Sequence, residues 1–103
     1  MVSIIWTESS NSDLIDIKEY ISRDSEFQAE LLVEAIFTKV QILSKFPEIG
    51  KAVPELPGTG YRELLFKRYR IIYRFSHPDI FILSIHHSAR LLKNNPHFKD
   101  LLQ

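Results

Sequence analysis

The hydrophobic periodicity of this 103-residue chain changes from helical spacing to strand-like stretches at a segment rich in proline and glycine over residues 47–60. After that segment, aromatic and β-branched stretches predict strands over residues 61–66, 69–75 and 80–85. Before it, apolar residues recur at helical spacing in two blocks. The first block is Leu14, Ile17 and Ile21, and the second is Ala29, Leu32, Ile36, Val40 and Leu43. Helices and strands that are separated in this way predict an α+β fold.

Capping signals bound the two predicted helices. Ser10 and Asp13 have the spacing of a capping box, which predicts that the first helix starts near Ser10. Ser25 and Gln28 repeat this spacing at the start of the second helix. Pro47 is incompatible with continuation of the second helix. Two helices joined by a few residues form an antiparallel hairpin, whose apolar side needs a surface to cover.

The predicted sheet supplies that surface. Residues 2–7 alternate and predict a first strand, and the three later stretches predict an antiparallel meander. The expected fold is a four-stranded sheet with both helices on one face, although the pattern does not say which strand the first one joins. One domain is expected over residues 1–103, with a long loop over 47–60 and a tail from about residue 94 that is either flexible or a short helix.

Composition narrows the class of protein. Cysteine is absent, and no apolar run approaches the roughly 20 residues that span a bilayer, so we expect a cytoplasmic protein without membrane attachment. The formal net charge is zero, but residues 1–44 hold eight acidic and three basic residues, whereas the remainder holds five and ten. This division into −5 and +5 halves predicts an anionic partner for the second half.

Basic side chains on the predicted strands are the first candidate site. Strand alternation puts Arg70 and Arg74 on the face opposite the helices, where we expect them to line an open surface. Arg62, on the neighbouring strand, is expected within reach of one of them. The planar guanidinium suits phosphate or carboxylate. The alternative is that these cations only keep a solvated face soluble and protect sheet edges.

Histidines and tyrosines offer weaker candidates. His87 has the chemistry of a general base, although a hydrogen-bonded histidine at a strand end is the alternative interpretation. Three strand tyrosines are candidates either for stacking on bases or for the core: Tyr61, Tyr69 and Tyr73.

Adjacent His86 and His87 face opposite ways on a strand and cannot easily share a metal ion, and the spacing of a metal site is absent. We therefore predict no metal and no cofactor.

Four stretches in order carry a family resemblance: WTESSNSDLIDIKEYI, LSKFPEIGKAVPEL, YRELLFKRYRIIYRF and IFILSIHHSARL. Together they resemble the RelE/ParE superfamily, the toxins of type II toxin–antitoxin modules, over about residues 2–92. The resemblance implies a helical hairpin on an antiparallel sheet and a cognate antitoxin whose C-terminal segment wraps the toxin. It also implies one of two activities, because RelE-like members cleave mRNA on the ribosome and ParE-like members poison DNA gyrase.

Position by position, the resemblance matches the nuclease type only in part. Arg62 and Arg70 fall on its basic positions, whereas a lysine, an arginine and a tyrosine of that type fall on or near Leu64, Ser88 and Asn94. The pair His87 and Arg90 is commoner in the ParE-like branch. These departures favour that branch.

The resemblance leads to three hypotheses. The first is a toxin that binds DNA gyrase without catalysis. The second is a metal-independent mRNA interferase, in which Arg62, Arg70 and Arg90 supply charge and His87 transfers a proton. The third is a degenerate toxin that retains only antitoxin binding. In each case the basic sheet and the hairpin groove are expected to accept an acidic antitoxin peptide, with an affinity that falls as salt rises.

Overall fold

The computed structural model describes residues 2–89 and 92–94. A first strand is followed by two helices and then by four strands, and two short 3₁₀ turns cover Gln41–Ser44 and Leu92–Asn94. The elements are β1 (Ser3–Trp6), α1 (Glu8–Ser22), α2 (Glu26–Val40), β2 (Lys51–Ala52), β3 (Arg62–Phe66), β4 (Tyr69–Ser76) and β5 (Asp79–His87). The predicted order of elements and the α+β class are confirmed.

The sheet has the order β1-β5-β4-β3-β2. Strands β3, β4 and β5 form the predicted antiparallel meander, and β1 lies parallel to β5 with Ile4 opposite Ile80. The prediction of four strands is wrong by one, because Lys51 and Ala52 pair with Glu63 and Arg62 inside the predicted loop. A two-residue strand among prolines and glycines is too short to produce a periodic pattern.

Helix α1 begins earlier than the capping-box spacing predicts. Thr7 is its N-cap, with a side-chain oxygen that accepts from the Ser10 backbone N–H at 3.2 Å and donates to the Ile82 carbonyl at 2.7 Å. The helix therefore starts where β1 leaves β5, a tertiary constraint that the sequence pattern does not contain. The predicted cap of α2 is confirmed, since Ser25 accepts from the Gln28 N–H at 3.1 Å.

The main core lies between the helices and the sheet. Ile36 and Val40 of α2 pack over Ile71 and Ile82, and all four side chains are fully buried. Asp13 anchors α1 to β5, because its carboxylate accepts from the Ser84 hydroxyl at 2.8 Å and from the Ile85 N–H at 3.0 Å.

The opposite face of the sheet is partly covered, so the expectation of an open face is wrong there. Residues 53–61, which we call the strap, fold over this face. A second small core joins the strap to the sheet and to the second 3₁₀ turn: Val53, Leu56, Tyr61, Ile72 and Leu92. Apolar residues among the prolines and glycines of the strap supply this cover.

No helix within the described residues is long and apolar enough to span a lipid bilayer. The predicted tail beyond residue 94, with its alternative short helix over residues 98–102, lies outside the part of the chain that the structure describes.

Gly50 allows a close approach between the loop after α2 and the sheet. Its N–H donates to the Tyr73 hydroxyl at 2.9 Å, and a Cβ at Gly50 would lie 2.7 Å from both that hydroxyl and the Glu63 carbonyl. We predict that Gly50→Ala lowers the free energy of unfolding by about 1–3 kcal/mol, because the added methyl overpacks a buried contact. Urea denaturation measures this. The exposed neighbour variant Glu48→Ala is the control, and equal unfolding midpoints for the two variants would contradict the prediction.

Candidate functional site

Arg70 is the most buried of the predicted site residues that the structure describes, at 8% exposure. It lies on the sheet face away from the helices, beneath the strap. Its Nε donates to Glu63 at 2.6 Å, and its two terminal nitrogens donate to the two oxygens of Glu55 at 2.7 Å each. The guanidinium fork that was expected to meet an outside anion is already occupied by two carboxylates of the same chain.

The charges in this ion cluster stabilise one another. The hydrogen bond from Arg70 holds the pKa of Glu55 below its usual value, although partial burial opposes the shift. The same bond raises the pKa of Arg70. Glu63 also lies 3.8 Å from the ammonium of the exposed Lys51. The charge of Arg70 is therefore balanced by carboxylates of the same chain.

Sequence reasoning missed both carboxylates of this cluster. Glu63 lies diagonally across from Arg70, because Leu65 is the residue directly opposite Arg70 on β3. Diagonal neighbours on one face are within reach of long side chains, so a correct register would have found Glu63. Glu55 lies in the strap, where no periodic pattern indicated which side chain turns towards the sheet.

Arg62 lies on the other face, and the expectation that it approaches Arg70 or Arg74 is wrong. Residues directly opposite in an antiparallel pair share a face, and the partner of Arg62 is Tyr73 in the main core. The Nη1 of Arg62 donates to the Glu48 carbonyl at 3.2 Å and to the Gly50 carbonyl at 2.8 Å. Arg62 therefore holds the loop after α2.

His87 ends β5 on the helix-facing side, opposite Tyr69, and the two rings meet edge to face with centroids 5.4 Å apart. The Nδ1 atom accepts from the Ala89 N–H at 3.1 Å. Nδ1 is therefore engaged as an acceptor, and Nε2 is the ring nitrogen left to donate. The interpretation of His87 as a hydrogen-bonded strand-end histidine matches this geometry.

The three described candidates occupy three separate places. Arg62 and His87 share a face but lie at opposite ends of the sheet, since their partners Tyr73 and Tyr69 are four residues, or about 13 Å, apart on β4. Arg70 lies on the opposite face. Arg90 lies outside the described residues. No group of three or more potential metal ligands occurs within the part of the chain that the structure describes.

A shallow apolar groove, which we call the hairpin groove, runs between α1 and α2 on the outer side of the molecule. It encloses about 390 Å³ and is lined by Asn11, Leu14, Ile15, Lys18, Val33 and Phe37. Ile15 is 57% exposed and Phe37 is 39% exposed, so both rims of the groove present apolar surface to solvent. Large exposed apolar side chains in one groove are typical of a protein-binding surface.

The ion cluster predicts a pH dependence of stability. Because the pKa of Glu55 is lowered in the folded state, its contribution is present above the unfolded pKa of about 4.5 and is lost as pH falls through the folded pKa. We predict that the stability difference between wild type and Glu55→Gln is constant from neutral pH to about 5.5 and shrinks below that. Urea unfolding at each pH measures the difference. Glu48→Gln, at an exposed position outside the cluster, is the control, and its free energy of unfolding should equal that of wild type at each pH. A stability difference between wild type and Glu55→Gln that grows as the pH falls would contradict the account.

Comparisons with known proteins agree with this fold. A family model described as the ParE toxin of type II toxin–antitoxin system, parDE, matches residues 4–92. Toxin RelE2 of Caulobacter vibrioides is 30% identical over 92 residues, which are 88% of this chain and 100% of that protein.

Two solved toxin–antitoxin structures are also similar. The chromosomal ParDE system from P. aeruginosa has a TM-score of 0.73 and 27% identity, covering 84% of this chain and 96% of that chain. The RelBE2 complex from Mycobacterium tuberculosis has a TM-score of 0.58 and 24% identity with the same coverage, and supports the fold alone. The family resemblance seen in the sequence is thereby confirmed. Because the family model spans most of the chain, this protein belongs to the ParE toxin family of type II toxin–antitoxin systems, within the RelE/ParE superfamily.

Proposed function

We propose that this toxin inhibits growth by binding DNA gyrase and that a cognate antitoxin neutralises it. The observation that carries the proposal is the ion cluster. Arg70 matches a basic position of the nuclease type, yet Glu55 and Glu63 occupy its donors at 2.6–2.7 Å. A transition-state phosphorane would have to displace a bidentate carboxylate from a guanidinium that is almost fully buried. The match to the ParE family model supports the same branch.

The chemistry of RNA cleavage supports binding over catalysis. Cleavage without a metal needs a base for the 2′-hydroxyl, an acid for the leaving oxygen and cations for the phosphorane, all around one phosphate. His87 has its Nδ1 engaged by Ala89, and Arg62 has two carbonyl partners at the other end of the sheet. The three described candidates do not surround one point.

A ribosome-dependent mRNA interferase is the second candidate. The observation that favours it is the relative at 30% identity, whose name, Toxin RelE2, belongs to the other branch of the superfamily. A degenerate toxin that retains only antitoxin binding is the third possibility, and it predicts no growth arrest when the protein is produced in bacteria.

Two assays on the purified full-length toxin test these proposals together. We predict that it inhibits supercoiling by gyrase or increases cleaved gyrase–DNA complexes, and that it leaves mRNA on programmed ribosomes intact. His87→Gln should inhibit gyrase as wild type does, because the proposed mode of action needs no proton transfer.

The control for both assays is the toxin premixed with its antitoxin, which should be inactive. Cleavage of ribosomal mRNA that His87→Gln abolishes, with no effect on gyrase, would overturn the gyrase proposal in favour of the interferase. Inactivity in both assays would overturn both activities and leave antitoxin binding alone.

The hairpin groove is the proposed antitoxin site. One solved structure similar to this chain, at 27% identity, is a ParDE toxin–antitoxin system, and an amphipathic helix or extended segment fits a groove with exposed apolar rims. Ile15 and Phe37 would be buried by such a segment, and Lys18 at the edge of the groove would pair with its acidic residues. The ion cluster leaves Arg70 unable to attract the antitoxin, so the remaining cations of the sheet would supply the long-range attraction.

We predict that Ile15→Asp weakens antitoxin binding by about tenfold or more, because a charge replaces an apolar side chain in the interface. The matched control is Ile49→Asp, at 51% exposure against 57% for Ile15, which lies outside the groove and should bind as wild type does. Calorimetry at several salt concentrations measures both variants. Equal losses for the two would contradict the groove assignment, and an affinity independent of salt would contradict the role of the cations.

A further inference from the structure

One end of the molecule gathers aromatic rings that neither the ion cluster nor the hairpin groove uses. Here β5 ends, β3 turns into β4, and α1 approaches its last turn. Tyr69 stands opposite His87 with ring centroids 5.4 Å apart, and the Ser88 N–H donates to the Arg68 carbonyl at 2.7 Å. Burial raises the pKa of the Tyr69 phenol, and Arg68 and Tyr20 lie close enough to add smaller electrostatic effects. We call this surface the aromatic end, defined by Tyr20, Phe66, Tyr69 and His87.

Exposure separates these rings from the tyrosines of the core. Of the three strand tyrosines considered for base stacking, Tyr61 and Tyr73 are buried at 7% and 0% exposure and belong to the two cores. Tyr69 is only partly buried, and Tyr20 is 66% exposed. The aromatic end therefore has ring surface left for a partner.

Cations lie over these rings and remain available. The Arg23 guanidinium is 5.7 Å from the centroid of Tyr20, and the Lys67 ammonium is 5.5 Å from the centroid of Phe66. Among the described residues, no ion pair involves Arg23, Lys67 or Arg68. This contrasts with Arg70, whose fork is fully engaged.

The backbone at Lys67 is a third, independent observation. Lys67 and Arg68 form a two-residue hairpin turn, and Lys67 has φ = 54°, in the left-handed region. The first central position of such turns favours glycine, and another residue there is strained. Strain that persists at an exposed turn is a pointer to function, since it keeps a lysine where glycine would fold better.

We propose that the aromatic end binds single-stranded nucleic acid, with bases stacked on Tyr20 and Tyr69 and phosphates held by Lys67 and Arg68. Exposed rings flanked by cations that pair with no carboxylate of the described residues are the combination that single strands require, because each unpaired base offers a π-face and each phosphate a charge. Duplex bases are already stacked and cannot use the rings in this way. The inference goes beyond the proposed gyrase and antitoxin contacts and does not depend on them.

Fluorescence anisotropy with labelled oligonucleotides of about 12 nucleotides tests the proposal on the full-length toxin. The probes are oligothymidylate, the matching oligouridylate and a duplex of the same length, at several salt concentrations. We expect saturable binding of at least one single strand, weaker binding of the duplex, and a loss of about fivefold or more for Tyr20→Ala. The ratio of the DNA and RNA affinities identifies which strand the site takes.

Lys67→Gly separates binding from folding. Glycine relieves the strained φ, so this variant should unfold at the same temperature as wild type or higher. It should nevertheless bind single strands more weakly, with a salt slope that is smaller by about 0.7 because one phosphate contact is lost. If Lys67 had only a structural role, its replacement by glycine would not weaken binding while leaving the unfolding temperature unchanged or higher.

Two matched controls lie elsewhere on the surface. Arg74→Gln removes a cation that is 5.3 Å from the Phe81 centroid, near the other end of β4, and Phe46→Ala removes an aromatic ring that is 56% exposed. Both should bind single strands as wild type does. The proposal is overturned if wild type binds no probe, if the duplex binds as tightly as the single strands, or if Arg74→Gln lowers affinity as much as Lys67→Gly.

The gyrase assay distinguishes this inference from the proposed function. Gyrase inhibition by wild-type toxin that binds no oligonucleotide would overturn the inference and leave the proposed function standing. If the toxin binds single strands but has no effect on gyrase, the gyrase proposal is overturned and this inference stands.

Discussion

The ion cluster of Arg70, Glu55 and Glu63 is the interaction on which the rest of this structure depends. It lies where β3, β4 and the strap meet, and its three side chains satisfy one another at 2.6–2.7 Å. Removal of Glu63 from its buried pair with Arg70 costs about 3–5 kcal/mol, because one charge loses its compensation. Glu55, whose side chain is 39% exposed, joins the strap to this pair through its two bonds to Arg70. The cluster therefore holds the strap on the sheet and occupies the donors with which Arg70 would bind a phosphate or an acidic peptide.

The functional account follows from that constraint. A basic position that the resemblance connects with RNA cleavage has become part of the fold, and the surfaces left for partners lie elsewhere. The hairpin groove offers apolar rims at Ile15 and Phe37, and the aromatic end offers exposed rings and cations that form no ion pair with another described residue. Contact surfaces of this kind are what the gyrase proposal requires.

Sequence reasoning predicted the parts of the fold that local patterns determine. Helical spacing located both helices, Ser25 was correctly identified as a cap, and alternation located the three meander strands. The errors arose where tertiary contacts, and not the local sequence, determine where an element begins or whether it forms. Thr7 caps α1 because β5 fixes it in place, and the strand Lys51–Ala52 exists only because β3 pairs with it. The placement of β1 beside β5 is likewise a property of the assembled sheet.

The candidate site was harder to predict than the fold, for the same reason. Alternation correctly put Arg70 on the face away from the helices, but the face of Arg62 depends on the β3–β4 register. No local pattern connects Glu55 with a strand fifteen residues further along the chain. The net charge of zero gave no information about the candidate site, because the charge of Arg70 is balanced within the fold by Glu55 and Glu63.

A double-mutant cycle on Arg70 and Glu55 tests the central claim most directly. The stabilities of Arg70→Met, Glu55→Gln and the double variant, measured by urea unfolding at neutral pH, give the coupling energy between the two side chains. The account predicts a favourable coupling of about 1 kcal/mol or more, since the effects of substituting two side chains in direct bidentate contact are not additive. Additive effects within about 0.3 kcal/mol would contradict it, because Arg70 would then be free of Glu55 and available to an outside anion.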